Sequence, residues 1–157
     1  MRVKVLRRLG PDEVDERLGS FERSLGCSFE EFEDRLLTGL LAREQLGTYL
    51  EWAALQDAYK AYEESGELDY VVEDSFELVD SAFETLLSPK RLELLNHLAA
   101  RGCESINDLA RRTRRDPKNI YVDLKALEIL RLVKLRRTGK RNVIPETPVE
   151  ELTFVIQ

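Results

Sequence analysis

The sequence predicts a mainly α-helical protein with a small β-hairpin near its C-terminal end. Apolar residues recur at spacings of three and four along most of the chain, as on the buried face of a helix. Serine, aspartate and proline stand where these segments begin, and glycine stands where several of them end. Two short runs, 132–137 and 141–144, have strand-like composition and flank Thr138-Gly139-Lys140, which is typical of a hairpin turn.

Residues 1–67 are predicted to form a helical module. Alternation of apolar and charged residues at the N-terminus predicts a short half-buried strand. Helical periodicity then predicts helices over 12–25, 29–37 and 43–64. Gly66 is expected to end the last of these helices, and 67–74 to form a strand or connector.

The helix predicted over 43–64 has an apolar band too broad for one face of a small domain. Such a helix is buried from two sides, either at a dimer or partner interface or as the central helix of a core. The sequence leaves both alternatives open. The candidate interface residues are Leu46, Tyr49, Leu50, Trp52, Leu55 and Tyr59.

Residues 68–157 are predicted to form a second domain. It begins with a helix from Asp74 towards Ser88, with Phe76 and Val79 on its apolar face. A terminal strand is expected over 152–156.

Three further helices follow Ser88-Pro89. The first has an apolar stripe of Leu92, Leu95, Leu98 and Ala99, the second starts at the Ser105 cap, and the third spans 116–130. Ile120, Leu124 and Leu127 are expected to face inward in the third helix, with the hairpin over 132–144 after it. This order of elements predicts a winged helix-turn-helix preceded by the helical N-terminal module.

Charge separates the two parts of the chain. Residues 1–86 contain 9 Lys/Arg and 21 Asp/Glu, a net charge of −12, whereas residues 87–157 contain 15 Lys/Arg and 9 Asp/Glu, a net charge of +6. A basic segment within an acidic protein indicates a local surface for a polyanion.

The fold and the charge together predict a surface for double-stranded DNA, with 116–130 as the recognition helix and 132–144 as a basic wing. Asparagine and lysine can read base edges, and wing arginines can contact phosphates. Exposed basic residues of this kind also occur as ordinary solvated faces, and similar modules bind proteins. The candidate DNA-binding residues are Arg111, Arg112, Arg114, Arg115, Lys118, Asn119, Tyr121, Val122, Lys125, Arg136, Arg137, Lys140 and Arg141.

Two segments carry a family resemblance. SPKRLELLNHLAARGCESINDLARRTRRDPKNIYVDLKALEILRLVKL, which starts at Ser88, resembles the winged helix-turn-helix of archaeal transcriptional regulators of the MarR-like class. The resemblance covers about 75–156 and implies DNA binding, usually as a dimer. This chain departs from those proteins at Arg131, where they usually carry glycine between the recognition helix and the first wing strand. Arginine fits this position in an ordinary helical conformation if the helix runs one residue further. The segment from Leu25 to Trp52 is similar to short archaeal antitoxin-like proteins.

The sequence has no pattern typical of an enzyme. It contains no phosphate-binding glycine loop, no metal-ligand spacing and no pairing of a nucleophile with a base, so no cofactor and no metal are expected. Its one histidine, His97, lies within a predicted helix, and Cys27 and Cys103 are far apart. No signal peptide or membrane span is apparent, and a cytoplasmic protein is expected.

The leading hypothesis is therefore a homodimeric transcriptional regulator that binds a pseudo-palindromic operator. The alternative is an antitoxin-like interaction module, in which the acidic residues 1–67 bind a basic protein partner.

Overall fold

The chain divides into two compact units. The computed structural model describes residues 1–79, 84 and 88–156. The larger unit combines Met1–Arg7 with Val72–Gln157, and the smaller unit is Arg8–Val71. The predicted division between residues 67 and 68 assigned the N-terminal strand to the helical module. That strand pairs instead with the last strand of the chain, which brings it into the larger unit.

The smaller unit is helical, with α1 at Pro11–Leu25, α2 at Phe29–Leu37, a 3-10 turn at Arg43–Gln45 and α3 at Leu46–Ser65. These bounds lie close to the predicted ones, except that α3 begins after the 3-10 turn. Within the described residues, no helix is both long enough and apolar enough to cross a membrane.

Local signals in the sequence fix the helix ends of the smaller unit. Gly26 ends α1 with φ +67°, a left-handed conformation that favours glycine. Ser28 then caps α2: its hydroxyl accepts the Glu31 N–H at 3.3 Å, and the Glu31 carboxylate accepts the Ser28 N–H at 3.1 Å. Ser28 and Glu31 therefore form a capping box.

The larger unit contains a three-stranded sheet in the order β2-β1-β5, formed by β1 at Arg2–Arg8, β2 at Val71–Glu77 and β5 at Val149–Val155. β1 and β5 are antiparallel, with Val3 opposite Phe154. The sequence predicts β1 and a shorter β5 but not their pairing. Periodicity shows that a segment is extended, but it does not show which strand the segment pairs with.

The helix predicted from Asp74 is wrong over 74–79, because β2 extends to Glu77, whereas Glu84 is helical. Exposed and half-buried residues alternate along β2, as on a strand that is covered on one face. Ion pairs join it to β1, including Arg7 Nε to Asp74 Oδ2 at 2.7 Å and Lys4 Nζ to Glu73 Oε1 at 3.0 Å. The rest of the predicted helix, 80–83 and 85–87, lies outside the described residues.

The three predicted helices after Ser88 are present as α4 at Pro89–Arg101, α5 at Ile106–Thr113 and α6 at Pro117–Ile129. A two-stranded antiparallel hairpin follows, with β3 at Lys134–Thr138 and β4 at Asn142–Glu146. The fold is therefore helical with small antiparallel sheets.

One core joins the sheet to these helices. Ile120, Leu124 and Leu127 are fully buried in it, as predicted. The stripe predicted for α4 is partly wrong: Leu94 and Leu98 are buried, Leu92 and Leu95 are half-buried and Ala99 is exposed. The core consists of Val3, Val5, Leu78, Leu94, Leu98, Leu109, Ala110, Ile120, Leu124, Leu127, Leu132 and Val133.

Candidate functional site

A groove of about 430 Å³ separates the outer face of α6 from the hairpin in the larger unit. Three segments that are distant in sequence line it: the start of α5, the first half of α6 and the start of β4. Its lining residues are Ser105, Ile106, Asn107, Pro117, Lys118, Tyr121, Val122, Arg141, Asn142 and Val143. We call this the α6–hairpin groove.

The start of α5 is held by a network around Asp108. The Ser105 hydroxyl accepts the Asp108 N–H at 3.1 Å and so caps the helix. The Asp108 carboxylate accepts the Glu104 N–H at 3.2 Å and pairs with Arg112 at 2.7 Å. The Glu104 N–H, assisted by the Arg112 charge, lowers the pKa of Asp108 despite its burial. Arg112 also donates to the Gly102 carbonyl at 3.0 Å, so this predicted DNA contact serves to hold α5 in place.

The turn from α5 to α6 is closed by Arg114 in the left-handed conformation, with φ +53°. The Arg114 N–H donates to the Arg111 carbonyl at 3.3 Å and the Arg115 N–H to the Ala110 carbonyl at 2.9 Å. Glycine is the usual residue at such a helix end, because it has no Cβ to clash. Arg114 is exposed, and Arg111 keeps 80% of its side chain exposed beside Asp108.

Arg115, another predicted DNA contact, faces inward. It forms an ion pair with Asp123 of α6, which also accepts Arg91 Nε of α4 at 2.9 Å. All three side chains are less than a fifth exposed. Asp123 thereby ties α4, the turn and α6 together, and Arg115 has a structural role.

The outer face of α6 is exposed as predicted, at Lys118, Asn119, Tyr121, Val122 and Lys125. Asp116 caps the helix by accepting the Lys118 N–H at 2.8 Å. Lys125 Nζ donates to Glu128 at 2.8 Å, which raises the pKa of Lys125, and lies 5.8 Å from the centre of the Tyr121 ring. Of the two lysines of α6, Lys118 lines the α6–hairpin groove and Lys125 does not.

The hairpin presents basic residues around its turn. Gly139 has φ +70°, which fits the predicted turn. Arg136 is paired across the hairpin with Glu146 at 2.8 Å. Within the described part of the chain, Arg137, Lys140 and Arg141 form no ion pair and are exposed. Only Arg141 of these three lines the groove.

A second groove, of about 460 Å³, lies beside α6 and is lined by Lys90, Arg115, Asp116, Asn119, Val122 and Asp123. Val122 lines both grooves and so stands on the ridge between them. Several lining residues were not among the predicted DNA contacts: Ser105, Ile106, Asn107, Pro117, Asn142 and Val143 of the first groove, and Lys90, Asp116 and Asp123 of the second. The predicted helix starts identified Ser105, Asp116 and Pro117 as structural residues, and the others carried no signal for a binding site.

Comparison with known families locates a match in this region. Residues 86–154 are similar to the family described as HVO_A0114. The matched stretch contains α4, α5, α6, the hairpin and most of β5, and therefore every residue that lines the α6–hairpin groove. No curated protein matches the chain.

The interface residues predicted on α3 divide into two groups. Trp52 and Leu55 are fully buried within the smaller unit, where Trp52 packs against Phe21, Phe29 and Phe32. For these two residues, the core alternative is the correct one, because no surface is left for a partner.

The other members of that set lie at or near the surface. Leu46 is 43% and Leu50 is 59% exposed. Tyr49 and Tyr59 are half-buried. The Tyr49 hydroxyl donates to Glu33 at 2.9 Å, which raises the pKa of Tyr49.

Proposed function

We propose that the larger unit is a winged helix-turn-helix that binds double-stranded DNA, with α6 in the major groove and the β3–β4 hairpin as the wing. The observation that carries this proposal is the α6–hairpin groove, because Lys118 and Tyr121 of the helix lie across from Arg141 of the hairpin. A helix that reads base edges beside a basic hairpin that contacts phosphates is the arrangement that such domains use.

The charges of the segment support a polyanionic ligand. Four of its acidic side chains form ion pairs: Asp108 with Arg112, Asp123 with Arg91 and Arg115, Glu128 with Lys125, and Glu146 with Arg136. The exposed cations without an ion pair among the described residues include Arg114, Lys118, Arg137, Lys140 and Arg141. Positive charge without an acidic partner is therefore present on the turn, the start of α6 and the hairpin, where it is available to phosphates.

In this proposal the protein is a transcriptional regulator related to the MarR-like class and acts in the cytoplasm as a homodimer. Two copies of α6 would enter successive major grooves, about 34 to 36 Å apart, on a pseudo-palindromic site. The order of three helices followed by a hairpin supports the assignment to a MarR-like regulator. The exposed leucines of the smaller unit support self-association.

The proposal is tested by fluorescence anisotropy of the full chain with a labelled duplex of mixed sequence, over a range of salt concentrations. Binding is expected at low ionic strength and should weaken as salt rises, because bound cations release counterions from the phosphates. Arg141→Ala should reduce the slope of log affinity against log salt by about 0.9, the value for one phosphate contact.

Lys4→Ala is the control, because it also removes one positive charge from the larger unit, in this case one paired with Glu73, and lies on β1, outside both grooves. It should leave the slope unchanged. Absence of salt-dependent binding at low ionic strength, or equal effects of Arg141→Ala and Lys4→Ala, would contradict the proposal.

A second candidate function concerns the smaller unit as an antitoxin-like interaction module for a basic protein. The observation that favours it is a set of leucines exposed by 43% to 79%, in a unit with 16 Asp/Glu and 6 Lys/Arg. Exposed apolar residues among acidic ones suit a partner with apolar and basic side chains. These leucines are Leu37, Leu40, Leu46 and Leu50.

Sedimentation of the full chain distinguishes self-association from this second function. A dimer that Leu46→Glu with Leu50→Glu converts to monomer would assign the leucines to self-association. A monomer that retains DNA binding would favour the partner function. Glu51→Gln, an exposed change on the same helix, is the control and should leave the mass unchanged.

A further inference from the structure

Val122 is an apolar residue at the centre of a polar surface. It is 61% exposed on α6, and it is two positions from both Ile120 and Leu124, which are fully buried. Positions two apart on a helix point to opposite sides, so Val122 faces directly away from the core. Its neighbours on the outer face are Lys118 and Asn119, one turn earlier.

Folding does not require a valine at this position. Valine is a weaker helix former than alanine, leucine or lysine, and Val122 buries little surface in the larger unit. Val122 also forms the ridge between the two grooves beside α6, one of which holds Lys118 and the other Asn119. A ligand that spans both grooves must contact this side chain.

We infer that Val122 determines part of the DNA sequence specificity by packing against the C5-methyl group of a thymine. This inference rests on the proposed DNA binding. Valine has no hydrogen-bond donor or acceptor, and the thymine methyl is the one apolar group that the four bases present in the major groove. Lys118 and Asn119 supply the donors and acceptors for the neighbouring bases. The site is therefore expected to contain a thymine next to the base pairs that these two residues read.

The test uses the binding site that the full chain selects from a random DNA pool. Each thymine of that site is replaced in turn by deoxyuridine, which lacks the methyl group but keeps the same hydrogen-bonding edge. At one thymine in each half-site, the wild-type protein should bind about threefold to tenfold more weakly, as expected for the loss of one buried methyl contact.

Val122→Ala should lose this sensitivity, so that it binds thymine and deoxyuridine sites equally, and Val122→Ile should retain it. Val79→Ala is the matched control, because Val79 is 69% exposed in the larger unit but lines neither groove. It should behave as the wild type does. Circular dichroism of each variant checks that α6 is folded.

The inference is overturned if no thymine position is sensitive in the wild type, or if Val122→Ala keeps the full sensitivity. Loss of the sensitivity in Tyr121→Ala alone would also overturn it, by assigning the methyl contact to the tyrosine ring. These outcomes differ from failure of the proposed function, in which no sequence is selected and no duplex is bound.

Discussion

Arg115 and Asp123 form an ion pair between the α5–α6 turn and α6, with 16% and 15% of their side chains exposed. Asp123 also accepts Arg91 of α4, so one carboxylate bonds to two guanidinium groups at low exposure. Two of the thirteen predicted DNA contacts, Arg112 and Arg115, thus serve to position the helices that present the others.

Asp123→Ala should lower the free energy of unfolding by about 2 to 4 kcal/mol, because it leaves two like charges without their shared partner. Arg115→Ala should lower it by less, since the Arg91–Asp123 pair remains. Urea denaturation measures both. An Arg115→Ala protein as stable as the wild type, with a smaller salt slope for DNA, would show that Arg115 contacts phosphate instead.

Arg131 ends α6 with φ +59°, so the helix does not continue through it as the sequence allowed. The Arg131 N–H donates to the Glu128 carbonyl at 2.9 Å and the Leu132 N–H to the Leu127 carbonyl at 3.0 Å. This is the helix-ending pattern that favours glycine, because glycine has no Cβ to clash in the left-handed conformation.

Arg131→Gly should therefore stabilise the protein by about 1 kcal/mol, because the left-handed conformation strains any residue with a Cβ. Arg131→Ala is the control: it removes the same charge but keeps the Cβ, and should give no such gain. Equal gains in the two variants, measured by urea denaturation, would assign the effect to charge rather than to backbone strain.

The contrast between α6 and β2 shows which parts of the fold the sequence could predict. Ile120, Leu124 and Leu127 repeat with helical spacing behind an Asp-Pro cap, so local signals define both the helix and its buried face. Phe76 and Val79 also have helical spacing, but Phe76 lies in a strand. Pairing with β1, a partner about 70 residues away, overrides the local pattern.

The candidate site was predictable to a similar degree. Helical periodicity identified Lys118, Tyr121 and Val122 as outward-facing, because that property depends on α6 alone. Which arginines remain available depends on tertiary ion pairs. Arg114 and Arg115 are adjacent in sequence, and only the position of Asp123 in the folded chain distinguishes them.

Trp52, the one tryptophan of the chain, tests the assignment of α3 to a core. Its emission should be shifted to the blue and should not change on dilution, because the residue is fully buried within the smaller unit. Trp52→Ala should lower the free energy of unfolding by about 3 to 5 kcal/mol.

Trp52→Phe should be milder than Trp52→Ala, because the Trp52 Nε1–H has no acceptor within the described residues and its removal breaks no hydrogen bond. A red shift of the emission on dilution would show instead that a partner covers the side chain.

Asp108 should make stability depend on pH on the acid side. Its pKa in the folded state is lowered from 3.8, chiefly by the Glu104 N–H, so ionisation favours the folded state. That contribution is complete above the unfolded pKa and is lost as the pH falls through the folded pKa. Asp108→Asn should thus melt at a lower temperature than the wild type at pH 7, and the difference should narrow below about pH 4. A difference that is constant with pH would contradict this account.

DNA binding in the α6–hairpin groove can be observed residue by residue in an NMR titration of the full chain with the selected DNA duplex, which follows each backbone amide. We expect the amides of three segments to shift together as DNA binds: 105–107 at the start of α5, 118–122 on α6 and 141–143 on the hairpin. Amides of α3 should move little, apart from any change that dimerisation causes. Shifts confined to residues 8–71, or no shifts at low ionic strength, would contradict it.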